Sequence, residues 1–361
     1  MVGRFPRRAQ RQVIRSIGVA WPPGGWVAIG VCVLAAQMPV CAEVLLQVAA
    51  PVVDLRSEPG YPAADTRAHD PNQEFQLVFG ERVIERERRG EWVRVESLDQ
   101  WEYTHHKKWE GYPGWVRSDA LRPIVGESPA FGIVRSVWAP VYSLSDPAPT
   151  LLRARPPLIR LPLGSVVTLQ RRSGGAYETS GSDGRPARID QKHIEPISGS
   201  LTASIVRLKV WRTARRLIGV PYYWGGLSPE SAAGVGVVTG VDCSGMTHLA
   251  YRSAGIQIPR DSHEQWMMSD PLIRADLERG DLVFLANADR PEKVVHVMMY
   301  AGGEFLIEGP GTGLTVRRVT FKQKLGRRLA SIDSGDRVGE KVVYFGRARL
   351  NSFRQSKLPI P

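Results

Sequence analysis

Cysteine is nearly absent from this chain: three occur in 361 residues, at positions 32, 41 and 243. Long apolar runs are missing as well. The stretch from Trp26 to Ala36 falls short of the roughly 20 apolar residues that a membrane-spanning helix needs. No Gly-rich loop opens a helix after a strand, so nucleotide binding has no support. His69, His105, His106, His193 and His248 show no metal-ligand spacing with the last cysteine or with an acidic cluster, and no metal or cofactor is called for. No basic run is interleaved with aromatics, which argues against nucleic acid as a partner. With 43% hydrophobic and 23% charged residues, the chain is neither disordered nor membrane-embedded in bulk.

The first 42 residues stand apart. Arg4, Arg7, Arg8, Arg11 and Arg15 form a basic start without an acidic residue, the apolar run follows, and Val40-Cys41-Ala42 offers small residues to a signal peptidase. That order predicts a secretory signal peptide over 1–42, cleaved after Ala42, with no stable membrane insertion afterwards. Met38-Pro39-Val40 lacks the small residue that precedes a lipidated cysteine. Cleavage would remove Cys32 and Cys41 and leave Cys243 as a lone thiol, which cannot form an internal disulfide in an oxidising compartment. It would also leave 43 basic against 36 acidic residues, a formal +7 that suits anionic polymers of a cell envelope.

From residue 43 to about 200 the pattern is short strands and turns. Gly80 to Glu85 and Gly90 to Val95 alternate apolar and polar residues, Arg88-Arg89-Gly90 can turn between them, and Gly111-Tyr112-Pro113-Gly114-Trp115-Val116 enters another strand. A weaker echo lies between Val134 and Pro196, where Leu163 to Leu169 matches the first of these strands and Ala187-Arg188-Ile189 a later one. Two small all-β barrels in tandem, 43–125 and 126–200, account for this most economically. Their Gly-Glu and Gly-Trp-Val patterns resemble bacterial SH3-like domains. From 201 the pattern changes. Apolar residues at helical spacing run from Ser204 to Ile218, stopped by Gly219 and Pro221, and a second helix follows Ser244. Strands are predicted over 281–285, 294–300 and 304–307, with Gly302-Gly303 between the last two. The segment 201–361 thus reads as an α+β domain whose helices pack on an antiparallel sheet.

Cys243 lies in Asp242-Cys243-Ser244-Gly245, at the predicted start of the second helix. Free N–H groups and the macrodipole there favour a thiolate and could hold an oxyanion. The other reading of a free cysteine is a small buried hydrophobe. Around Cys243 stand Pro221-Tyr222-Tyr223-Trp224-Gly225-Gly226, Pro259-Arg260-Asp261-Ser262 with Gln265, Gly280-Asp281-Leu282-Val283-Phe284, and His296-Val297-Met298-Met299-Tyr300. This ordered set resembles the NlpC/P60 family of papain-like cysteine peptidases, over roughly residues 205 to 320.

The resemblance implies Cys243 as nucleophile, His296 as its base, and Tyr222 as a tyrosine whose hydroxyl lies near the thiol. Asp242 and Ser244 are placed to receive a substrate's free ammonium, although a carboxylate beside the thiolate would raise its pKa. The third catalytic position, mostly histidine in the family, is matched by Glu308, which can accept the imidazole N–H and stabilise the imidazolium. Two SH3-like domains ahead of the peptidase resemble the γ-D-glutamyl-L-diamino acid endopeptidase subgroup. There the first such domain can wall off the cleft and favour short peptides with a free L-Ala amine, and Glu81 is the candidate contributor to that wall. The implied partners are peptidoglycan stem peptides or muropeptides, met in the periplasm or cell envelope. Two other readings use the same blocks: a wall-binding protein with an inactive site, and an amidase or acyl transferase on the same fold.

Overall fold

Alternation of apolar and polar residues makes strands almost throughout the first half of the protein, and the turns between them fall where glycine relieves the backbone. The structure, a computed structural model, describes residues 43–61, 70–124, 130–145, 156–197, 202–229 and 238–349, with the backbone of 351–352. The signal predicted at 1–42 lies outside these residues.

Seven antiparallel strands form the first sheet, in the spatial order Gln73–Val78, Val52–Arg56, Glu110–Arg117, Trp92–Glu102, Arg82–Arg89, Val44–Val48 and Leu121–Pro123. Gly90, at φ 57, makes the turn expected between Arg82–Arg89 and Trp92–Glu102. Inward-facing Leu46, Leu55, Phe75, Val83, Val93 and Val116 fill its core. Trp92, Tyr112 and Trp115 are all buried. The strands from Phe131–Val134 to Ile194–Pro196 follow as a five-stranded and a three-stranded sheet around Val134, Val141, Leu161, Val167 and Ile189. Two compact β modules in succession fit SH3-like barrels.

Helix α1 spans Ala203–Arg216 and α2 spans Cys243–Arg252. Two shorter helices, α3 (Ser262–Met267) and α4 (Phe321–Leu325), flank a sheet ordered Ser269–Pro271, Lys341–Ala348, Leu282–Asn287, Arg290–Gly302, Phe305–Glu308, Arg317–Thr320. Every pairing in it is antiparallel, as predicted for an α+β domain. α1 and α2 pack together on this sheet, with Val210, Ala214, Met246, Leu249, Phe284, Val297 and Met299 in one cluster. Among the described residues no helix is long and apolar enough to cross a membrane.

Both β modules contribute to the packing of α2. Val78 from the first and Leu163 from the second belong to the same apolar cluster as the helix. At Gly225 the loop ahead of α2 approaches the first module so closely that a Cβ would lie 2.5 Å from the Glu74 carbonyl oxygen, and φ there is +71. The Gln76 backbone N–H donates to the Gly225 carbonyl at 2.9 Å, and the Leu227 N–H donates to Gln76 Oε1 at 3.1 Å. The first module is therefore stitched to the segment that leads into the predicted nucleophile.

Glu81 has a different place from the one sequence reasoning gave it. Its side chain is wholly buried and ion-paired with Arg252 at the end of α2, and it also accepts from the Val78 N–H and from Gln100. It cannot touch a substrate. Its role is to lock the first module onto α2. Removing one partner of a buried pair strands the other's charge, so Glu81→Ala is expected to cost about 3–5 kcal/mol of stability. A urea denaturation midpoint equal to that of the unaltered protein would show that the pair carries none of the docking.

Candidate active site

Cys243 is the first residue of α2, half-buried and engaged in no disulfide. The residue before it is the N-cap. Asp242 Oδ1 accepts from the Gly245 N–H at 2.5 Å, satisfying a helix donor that would otherwise be unpaired. Asp242 also accepts from the Gly225 N–H at 2.9 Å, from the Ser244 hydroxyl at 3.2 Å, and from both Nη atoms of Arg260 at 3.1 and 2.9 Å. Arg260 is fully buried, and Ser244 Oγ accepts a further bond from it at 2.9 Å. This corrects the expectation that Asp242 and Ser244 await a substrate ammonium, because their polar atoms are spent on the cap and on Arg260. The same pair answers the electrostatic objection to an aspartate beside a thiolate, since the guanidinium balances its charge.

His296 sits in the strand Arg290–Gly302 opposite Leu285. The next residue of the neighbouring strand, Ala286, pairs with Val294, so Val295 is an extra residue at this point. Such a bulge re-aims the side chains beside it. His296 Nε2 lies 3.3 Å from Glu308 Oε2, which leaves Nδ1 as the ring nitrogen to face Cys243. Burial works against the imidazolium, but the charge and hydrogen bond of Cys243 and the bond to Glu308 outweigh it and hold His296 up at about 9.

Glu308 is completely buried. Burial alone would neutralise it, yet His296, Lys324 and Arg317 hold its carboxyl down at about 2. Arg317 donates through Nε at 3.0 Å and Nη2 at 2.9 Å to Oε1, while Lys324 Nζ lies 2.5 Å from Oε2. Gly309 follows directly, and a Cβ there would come within 3.3 Å of the Cys243 backbone nitrogen. A larger residue would crowd the N–H best placed to meet an oxyanion. Tyr222 lies within electrostatic reach of Asp242 and Cys243, its hydroxyl pKa raised chiefly by burial.

Cys243, His296, Glu308 and Tyr222 thus come together, whereas Glu81 does not join them. Sequence reasoning missed Glu74, Arg317 and Lys324, and quoted Arg260 and Asp261 only within a motif block, without a role. The Tyr112 hydroxyl, from the first β module, lies 3.1 Å from Glu74 Oε2 and 3.3 Å from Asp261 Oδ2, gathering two carboxylates where the module meets α3. Glu102, His106 and Glu110 also bring potential ligand atoms within 4.8 Å of one another, a grouping that the reading of His106 as lacking metal-ligand spacing with an acidic cluster did not foresee. His106 is exposed and already ion-paired with Glu110, which Lys108 also approaches at 3.0 Å.

Residues 219–329 match the NlpC/P60 family. A γ-D-glutamyl-L-lysine dipeptidyl-peptidase of Bacillus subtilis is 27% identical over 254 residues, covering 69% of this chain and 76% of that relative. An enzyme of the same name from Bacillus cereus is 29% identical, covering 66% of this chain and 67% of the relative. The crystal structure of an NlpC/P60 family protein from Bacillus cereus superposes with a TM-score of 0.64 at 21% identity, over 85% of this chain and 99% of that one, so the shared fold extends through the β modules. The chain carries an NlpC/P60 domain, the domain of a family of cysteine peptidases. Its homology is to γ-D-glutamyl-L-lysine dipeptidyl-peptidases.

The Asp242–Arg260 pair generates a test of what orders this site. Asp242→Asn keeps a capping oxygen but loses the charge opposite a fully buried guanidinium. It should lower stability by more than the ~1 kcal/mol that a cap is worth, toward the 3–5 kcal/mol (about) of a broken buried pair. A thermal denaturation showing a loss no larger than that of a cap would mean that Arg260 finds other compensation.

Proposed function

We propose that this protein is an exported peptidase that hydrolyses an amide bond of peptidoglycan stem peptides through an acyl-enzyme on Cys243. The observation that carries the reading is the arrangement of His296 between a thiol at a helix N-terminus and a fully buried carboxylate. In this reading the organisation is a signal peptide at 1–42, SH3-like domains at 43–125 and 126–200, and the peptidase domain at 201–361.

The Cys243 thiolate attacks the carbonyl carbon, and the π electrons of the C=O bond move onto oxygen. The Cys243 N–H and the Tyr222 hydroxyl stabilise that oxyanion. As the tetrahedral intermediate collapses, imidazolium His296 gives its proton to the departing amine and a thioester remains. Neutral His296 then takes a proton from water, whose oxygen attacks the thioester and releases the acid. Glu308 keeps one imidazole N–H engaged throughout and so fixes which nitrogen faces sulfur.

The names of the relatives favour the bond between γ-D-glutamate and a diamino acid. The Glu74–Tyr112–Asp261 group, on the side of the cleft closed by the first module, is the proposed seat of the substrate's N-terminal ammonium in place of Asp242 and Glu81. Asp261 keeps 44% of its side chain exposed and so remains within reach of a ligand.

Incubating residues 43–361 with L-Ala-γ-D-Glu-diaminopimelate should release L-Ala-γ-D-Glu by mass, and Cys243→Ala should abolish it. Because the active pair needs imidazolium His296, kcat/KM should fall as pH rises through about 9. Absence of cleavage of this peptide and of intact wall, with folded protein, would favour a wall-binding protein. Products joined to an added amine would favour an acyl transferase.

Acetylating the substrate's amine tests the ammonium seat. A charge-assisted hydrogen bond is worth about 1.5–3 kcal/mol, so kcat/KM should drop roughly 10- to 100-fold. Glu74→Gln with Asp261→Asn should erase most of the difference between the free and acetylated peptides. Equal rates on both peptides with the unaltered protein would remove this assignment.

A further inference from the structure

A buried glutamate beside a catalytic histidine poses an electrostatic problem that a neutral third residue would not. Cys243 and Glu308 would place two negative charges around one imidazolium, and burial would drive Glu308 to take up a proton. A protonated carboxyl could no longer accept the imidazole N–H.

Two local devices bring cations to it. Arg317 is the residue directly opposite Glu308 in the neighbouring strand Arg317–Thr320, so the register itself delivers its guanidinium. Lys324 comes from α4, a helix of five residues held in place by a capping box. Thr320 Oγ1 accepts from the Gln323 N–H at 3.1 Å, and Gln323 Oε1 accepts from the Thr320 N–H at 2.8 Å. Buried Phe321 anchors the same turn. The two cations divide the carboxylate between them. Arg317 takes Oε1 through two N–H groups, and Lys324 shares Oε2 with His296.

We propose that Lys324 and Arg317 are positioning residues that lock Glu308 toward His296, and that Lys324 also limits how firmly His296 holds its proton. The inference rests on the peptidase reading of Cys243 and His296. The charged groups facing His296 are Cys243 from α2, Glu308 from Phe305–Glu308 and Lys324 from α4, with Arg317 behind Glu308. Leu285 lies opposite it on the neighbouring strand, and His263 of α3 accepts instead from the Val294 N–H at 3.3 Å. Lys324 is 19% exposed and Arg317 48%, so solvent screens the arginine more and the lysine carries the larger effect.

The test compares Lys324→Met, Lys324→Arg and Arg317→Met with unaltered protein, using two readouts. One is the pH dependence of Cys243 alkylation by iodoacetamide, whose upper inflection reports loss of the proton from His296 beside the thiolate. The other is kcat and KM on the peptide. Removing a positive charge beside the imidazolium stabilises it, so Lys324→Met should raise the upper inflection by about 1 unit. It should also lower kcat about 10-fold with KM unchanged. Lys324→Arg should restore both, and Arg317→Met should lower kcat with a smaller shift. An inflection in Lys324→Met that coincides with the unaltered protein, or a failure of Lys324→Arg to restore it, would overturn the proposal. Alkylation needs no substrate. A protein that cleaves no peptide yet shows the inflection moving with Lys324 would fail the peptidase reading while keeping the positioning role.

Discussion

A helix of ten residues does not persist by itself in water, so the position of Cys243 depends on what holds α2 from outside. Every residue of α2 after the cysteine is buried, including Arg252, and both ends are fastened by charge. At the start, Asp242 joins the helix N–H groups to the buried Arg260 guanidinium. At the end, Arg252 pairs with Glu81 of the first β module. Neither pair need add net stability over a well-packed apolar substitute. What each does is penalise any arrangement in which the helix shifts, because a shift would leave a charge buried and alone. The thiol is thereby held at a fixed place relative to the sheet that carries His296 and Glu308.

The same logic gives the β modules a structural task beside any contact with substrate. Gly225 admits the first module to the loop before the nucleophile, Gly164 lets the second lie against Leu249, and Gly80 lets the two modules meet at Val166. The Arg260 N–H donates to the Trp101 carbonyl at 3.1 Å, so the segment that neutralises Asp242 is itself braced by the first module. The placement of Cys243 and the docking of the modules are coupled through one helix.

Most of the fold was legible because its signals are local. Period-two strands, helical spacing from Ser204 to Ile218 and Gly-Pro stops are read within a few residues, and the helices and strands fall where those patterns lie. Cys243, His296 and Glu308 were legible through ordered blocks, and the geometry brings all three together. The misplaced residues are charged ones whose partners are remote in sequence. Glu81 and Arg252 are 171 positions apart, and nothing near Glu81 distinguishes a strand glutamate facing solvent from one covered by another domain. Asp242 was assigned to a substrate ammonium because the block holding Arg260, 18 positions on, marks the family without saying which side chain its arginine meets. Glu74 and Asp261 meet only through Tyr112, a contact that exists once the first module has docked.

Glu308 shows why a family motif and a physical reading must be joined. The motif marks the position as the third member and notes that the residue type is unusual there. It does not say what else must change when a neutral acceptor becomes a buried anion. Charge does say so: with Cys243 as thiolate, His296 as imidazolium and Glu308 ionised, the cluster carries one excess negative charge in a low-dielectric setting. Some cation must sit against the carboxylate or the carboxylate must protonate. The strand register supplies Arg317 and the capped turn of α4 supplies Lys324, both within hydrogen-bond reach of Glu308. A buried glutamate facing His296 is therefore workable only together with the segment 317–324. In the proposed peptidase the residues after Glu308 belong to the site as much as the glutamate does.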